Sequence, residues 1–183
     1  MEISKKDVAK LIAKSLRHDP DSLNLELDSE GWVHIEDILE GFDSHTPYLL
    51  DLDDIEDAVT QSNYGRFEFD EKRLLVRALK GHTTSQVSYQ VAEPVGNMYR
   101  AISSRHADYI VEMGFRSTKR KYTQFFINFS EAIEDGEARG IKDVCLICVN
   151  SEEAYHEGTL FYLHEEEWYL QRVDPIHLEV LDC

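Results

Sequence analysis

The chain has 183 residues, 42% hydrophobic and 30% charged, with a formal net charge of -17. That length allows one sizeable domain or two small lobes, and no apolar run is long enough to span a bilayer. Taken as a total, the charge disfavours a nucleic-acid partner, because phosphates repel it.

Ser4-x-x-Asp7 has the form of a helix N-cap box, and Val8, Leu11, Ile12, Ser15 and Leu16 follow at helical spacing. This first helix is expected to end near Arg17-His18-Asp19-Pro20, because a residue before proline avoids the helical region. Asp28-Ser-Glu-Gly31 marks a turn, and Trp32-Val33 opens a short extended piece. A second helix is predicted from Ile35 to Leu39 with Gly41 as its stop, and a third from Asp53 to Gln61. Residues 66–69 and 74–79 flank the turn candidate Asp70-Glu71-Lys72 as a β-hairpin. Three helices followed by a hairpin outline a winged-helix lobe.

Residues 91–97 have the composition of a linker. Beyond it, Asn97 to Ile102 and Gln124 to Phe129 are predicted strands, and Ser104 to Met113 a helix closed by Gly114. Ser130 is the expected cap of a helix to Ala138. Asp143 to Val149 is an apolar buried strand, and Leu160 to Leu163, Trp168 to Leu170 and Ile176 to Leu181 are short strands. The expected class is α+β, with lobes at 1–90 and 98–183.

Three cysteines are too few and too odd in number for a disulfide framework. Cys145-Leu-Ile-Cys148 lacks a second ligand pair and is expected as two small buried side chains in a strand, and the eight histidines show no ligand spacing, so no metal is expected. Residues 1–7 lack an apolar signal core, which makes the cytoplasm the expected address. Charge is unevenly spread. Residues 19–57 hold 14 acids and no Lys or Arg, whereas residues 1–18 hold 5 bases against 2 acids and residues 58–121 hold 11 against 6. A local anion site is therefore compatible with an acidic chain; scattered solvated bases would give the same count.

Four segments carry a resemblance: Leu16-Arg17-His18-x-Pro20 with Gly31-Trp32-Val33; Gly65-Arg66-Phe67; Arg77-Ala78-x-x-Gly81-His82; and Gly114-Phe115-x-x-x-x-Arg120. In this order and spacing the chain resembles the NAD-dependent RNA 2'-phosphotransferases along nearly its whole length. The resemblance implies a winged-helix lobe followed by an ADP-ribosyltransferase-like lobe. It implies a tRNA-processing enzyme of RNA splicing that acts, as a monomer, on RNA bearing an internal 2'-phosphate, with tRNA as the expected carrier. The phosphate attacks the nicotinamide ribose carbon of NAD, and a ribose hydroxyl then attacks phosphorus, giving 2'-hydroxyl RNA, nicotinamide and ADP-ribose cyclic phosphate. Carried over by position, the catalytic set is Arg17, His18, Arg66 and Arg120. Arginine forks hold phosphate oxygens in pairs and keep their charge, and histidine donates near neutral pH. Taken singly, each has a plainer role: Arg17-His18 can neutralise a helix end, Arg66 can be an exposed strand charge, and Arg120 can belong to a solvated basic turn.

The NAD side departs from the family pattern. Met98-Tyr99-Arg100-Ala101-Ile102 stands where the family has Leu-Tyr-His-Gly-Thr. Tyr122-Thr123-Gln124-Phe125-Phe126 stands where the family has His-Val-His-Leu-Ser, and Gly136-Glu-Ala-Arg139-Gly140 where it has Gly-x-Arg-His-Gly. NAD would then be held through Tyr99, Arg100, Ser104 and Arg105. The alternatives are a divergent member that binds phosphorylated RNA without turnover, and an ADP-ribosyltransferase acting on nucleic-acid phosphate ends. Glu165-x-Glu167 invites the comparison with transferases, but also reads as a solvated hairpin turn.

Overall fold

A computed structural model describes residues 3–60, 67–72 and 74–181. The expected catalytic Arg66 lies outside the described residues. The chain divides into two compact units, Met1–Ser88 and Tyr89–Cys183, each mixing helices with antiparallel sheet.

In the first unit, helix α1 (Lys5–Arg17) starts where the sequence places it: the Ser4 hydroxyl accepts from the Asp7 amide and donates to the Asp7 carboxylate. Val8, Ile12 and Leu16 form its buried stripe. A 3-10 turn (Pro20–Leu23) leads to strand β1 (Val33–His34) and helix α2 (Ile35–His45). The second helix does not stop at Gly41. A Cβ at Gly41 would lie 2.5 Å from the Leu23 carbonyl oxygen, so the glycine serves close packing against the 3-10 turn, and the helix continues to His45. Helix α3 (Leu52–Thr60) follows, its first turn closed by reciprocal bonds between Asp51 and Asp54. Strands β2 (Phe67–Phe69) and β3 (Leu75–Ala78) pair antiparallel, and the sheet order is β1-β3-β2. The Asp70 carboxylate accepts from the amides of Lys72, Leu74 and Leu75 in the connecting turn; these donors, Leu75 first, hold its pKa below the usual carboxylate value.

The second unit begins at Tyr89, ahead of the expected linker, and its first strand β4 (Gln90–Val91) takes in the linker's first residue, Val91. Strand β5 (Met98–Ser103) leads through a 3-10 turn to helix α4 (Ala107–Met113). Gly114 ends α4 at φ +79, and a Cβ there would meet the Val173 carbonyl at 2.5 Å, so only glycine fits without strain. Strands β6 (Phe115–Arg116) and β7 (Thr123–Phe125) follow. The chain then turns into helix α5 (Phe129–Ala138) earlier than expected, because Asn128 is the cap, accepting from the Ser130 amide. Strand β8 (Val144–Val149), helix α6 (Ser151–His156) and strands β9 (Phe161–His164), β10 (Glu167–Leu170), β11 (Arg172–Val173) and β12 (Leu178–Leu181) complete the unit. Glu165 and Glu166, at φ 50 and 61, make the tight β9–β10 turn, and Glu167 accepts from the Tyr169 hydroxyl.

Two sheets result, β12-β8-β5 and β4-β9-β10-β7, beside the pair β11-β6. Met98, Phe125, Ile147, Phe161, Trp168 and Leu170 are buried together between them. On the other face of β5 and β8, Ala101 and Leu146 pack on Ala132 of α5. Cys145 and Cys148 are buried in β8 as expected; Cys148 is a free thiol, whereas Cys145 is disulfide-bonded, a bond that the reading against a disulfide framework did not anticipate. Among the described residues no helix is long and apolar enough to cross a membrane.

Helix α5 approaches β5 through Gly136: a Cβ there would lie 2.5 Å from the Ala101 methyl. Gly136→Ala gains about 1 kcal/mol of helix propensity but overpacks a rigid contact, which costs about 1–3 kcal/mol. A net loss of stability is therefore expected in thermal unfolding, and Ala101→Gly in the same chain should recover part of it.

Candidate active site

Strand pairing creates a cationic recess in the second unit. Strands β5 and β7 belong to different sheets, and β5 meets the residue after β7 at an isolated bridge, where the Tyr99 and Phe126 main chains exchange hydrogen bonds of 2.7 and 2.9 Å. Away from that bridge the strands part, and the Arg100 guanidinium crosses the gap to donate to the Gln124 carbonyl at 2.5 Å. A cavity of about 440 Å³ opens there. Arg100, Arg116, Lys119, Arg120 and Arg139 line it, with Asp135 as the one carboxylate among the lining residues. Burial and then the neighbouring Arg139 charge lower the Arg100 pKa to about 10, so it remains a cation at neutral pH. Crowding guanidinium groups around one carboxylate is unfavourable until an anion enters.

The turn that carries Arg120 is pinned from both ends. The Ser117 hydroxyl donates to the Arg120 carbonyl at 2.7 Å and lies 2.7 Å from the Thr123 hydroxyl, while the Ser117 amide donates to the Gln171 carbonyl. Arg139 is held by Asp135 one helical turn back and by the Ala101 carbonyl.

In the first unit, Arg17 and His18 close α1. The Arg17 carbonyl accepts from the amides of both Thr83 and Thr84, and its guanidinium lies 5.6 Å from the centroid of the Phe67 ring. His18 is exposed, with Nδ1 2.9 Å from the Thr83 hydroxyl oxygen. Below them Arg77 donates twice to Glu68 and stacks 4.5 Å from the Trp32 ring, while His82 is buried beside Gly31. The Arg77-to-His82 segment thus acts as the packing that carries the loop against α1.

The sequence profile described as "RNA 2'-phosphotransferase, Tpt1 / KptA family" matches residues 4–172. The chain belongs to this family. It is 31% identical over 170 residues to a protein of Acetivibrio thermocellus named "Probable RNA 2'-phosphotransferase", covering 92% of each chain. A relative of the same name from Flavobacterium johnsoniae is 26% identical over 176 residues, covering 95% of each. Another from Pectobacterium atrosepticum is 31% identical over 163 residues, covering 85% of this chain and 86% of its own.

For this RNA 2'-phosphotransferase family member, the four residues expected on the NAD side do not share one place. Arg100 lines the cationic cavity together with Arg120. Tyr99 lies next to it on β5 and so faces the opposite side, where its ring meets Phe129 edge-on and Cys148 raises its pKa. Ser104 donates to Asp143, as does Ser103, and these bonds, Ser104 first, keep the Asp143 pKa low; the exposed Arg105 lies near the same carboxylate. The Ala101 methyl points at Gly136 of α5, so the alanine at a family glycine position is absorbed by helix packing. Arg139, Arg116 and Lys119 were not among the expected site residues. Arg139 had a signal: it stands alone as a base in an acidic helical stretch, four residues after Asp135. Among the described residues no group of three or more His, Cys, Asp or Glu could hold a metal ion.

Proposed function

We propose that the chain transfers an internal RNA 2'-phosphate to NAD, leaving 2'-hydroxyl RNA and releasing nicotinamide and ADP-ribose cyclic phosphate. The observation that carries the NAD assignment is the cavity of five cationic side chains and one carboxylate, a donor set suited to a diphosphate. NAD, when bound, supplies the ribose carbon that accepts the phosphate and the nicotinamide that leaves. Arg100 and Arg139, each tied to a main-chain carbonyl, hold the diphosphate in place. Arg17, His18 and Arg66 grip the RNA phosphate and strip its water, and Arg120 on its pinned turn stabilises charge as phosphorus is attacked. Of the other residues expected beside the nucleotide, Tyr99, Ser104 and Arg105 stand apart from this cavity and take no part in holding the diphosphate. The fold reading that goes with this is a winged-helix unit followed by an ADP-ribosyltransferase-like unit, and the carrier is tRNA.

A binding protein without turnover is the second reading, favoured by the main-chain bonds that already occupy Arg100 and Arg139. A short RNA with one internal 2'-phosphate, incubated with and without NAD, separates the two. NAD-dependent appearance of 2'-hydroxyl RNA supports the enzyme; retained RNA binding with no conversion at high protein and NAD supports the binding protein.

Arg100→Gln sharpens the cofactor assignment. Its pKa is lowered in the folded protein, so the charged form is disfavoured there, and folding stability rises with pH from about 10 towards the ordinary arginine value. Glutamine keeps an amide donor for the Gln124 carbonyl and removes the crowded charge. Unchanged or raised thermal stability at pH 7 is expected, with a KM for NAD raised by about tenfold or more. An unchanged KM would remove Arg100 from the NAD site.

A further inference from the structure

We propose that Thr83 is a positioning residue for His18: its hydroxyl holds Nδ1 of the imidazole, so that Nε2 is the ring nitrogen that works on the RNA phosphate. The proposal rests on the phosphotransferase reading for what His18 does, and on geometry for how it is held. His18 caps the C-terminal end of α1, where helical carbonyls lack partners within the helix. A segment 65 residues further along the chain docks there. The Thr83 and Thr84 amides both donate to the Arg17 carbonyl, at 2.8 and 3.1 Å. Gly81, at φ +89, turns the chain to make that approach, and a Cβ there would sit 3.8 Å from Arg17 Cδ.

Side chains alternate along this segment. His82 and Thr84 are buried and anchor it, whereas Thr83 between them is exposed. Packing therefore does not account for the Thr83 side chain, and its hydroxyl sits 2.9 Å from His18 Nδ1. A hydroxyl can donate to a bare Nδ1 or accept from a protonated one, so it holds the ring in either protonation state. An exposed imidazole without such a partner samples several rotamers, and a group that must meet a phosphate in one geometry loses rate when it does. The main-chain bonds to the Arg17 carbonyl do not depend on the side chain of residue 83, so the hydroxyl can be removed without undocking the loop.

Thr83→Val keeps the shape and those main-chain bonds but deletes the hydroxyl, whereas Thr83→Ser keeps the hydroxyl. Single-turnover transfer from 2'-phosphorylated RNA to NAD is measured together with RNA affinity, thermal midpoint and the 15N shifts of the His18 ring. Thr83→Val should slow transfer about tenfold with RNA affinity and midpoint unchanged, and Thr83→Ser should stay within about twofold of the wild type. The His18 nitrogen shifts should move in the valine variant and not in the serine variant. Transfer at the wild-type rate in Thr83→Val overturns the proposal, as does an equal loss in Thr83→Ser. If the wild type itself transfers nothing, the phosphotransferase reading fails, and the nitrogen shifts alone decide the Thr83 contact: no movement in Thr83→Val overturns it.

Discussion

Replacing Arg120 by alanine is expected to lower the rate of phosphate transfer by about 10²–10³-fold while the thermal midpoint and the binding of 2'-phosphorylated RNA change little. The side chain is exposed at the rim of the cationic cavity, so its loss removes no buried packing. What holds it is its turn, through Ser117 bonded to the Arg120 carbonyl and to Thr123, and that turn survives truncation of the side chain. A preorganised cation acts most where negative charge builds during transfer, so the loss should fall on kcat more than on KM. Arg120→Lys keeps the charge but not the planar fork, and should recover only part of the rate. A kcat near that of the wild type in Arg120→Ala would remove this residue from the reaction.

The second large effect is expected at Arg17. Arg17→Lys should reduce kcat/KM about a hundredfold, because a lysine ammonium cannot present two parallel donors to one phosphate. The local fold should tolerate the change. The contacts that dock residues 83 and 84 are made to the Arg17 carbonyl, which every residue has, and the lysine stem still covers the Phe67 ring. Circular dichroism and the unfolding midpoint should therefore match the wild type while single-turnover transfer falls. Were Arg17 only neutralising the end of α1, lysine would serve equally well and the rate would hold.

Local chemistry was legible from the sequence wherever it is local in the fold. The Ser4 cap box, the turn at Asp28, the hairpin around Asp70 and the apolar strand ending at Val149 all depend on residues within a few positions of one another. Gly41 failed as a helix stop for the opposite reason. Its role is set by the Leu23 carbonyl, which the linear pattern of α2 does not contain. Ser130 was passed over as a cap because Asn128, two residues earlier, already supplies the acceptor. The two-residue strands β6 and β11 carry no periodicity of their own and exist only through pairing with each other.

Motif order alone was enough to recognise the family, since Arg17-His18, the Gly81-His82 segment and Arg120 are read in register along the chain. The sequence also determined that cations concentrate in its first 18 residues and in 58–121. Only the tertiary structure decided where those cations stand. Adjacent residues on β5 point to opposite faces, which puts Arg100 in the cavity and Tyr99 outside it. Helix α5 brings Arg139 back onto the Ala101 carbonyl across 38 residues of chain, and the loop after β3 brings Thr83 onto His18 across 65. Such contacts are made by packing between elements distant in sequence, and no local pattern of residues encodes the distance between them.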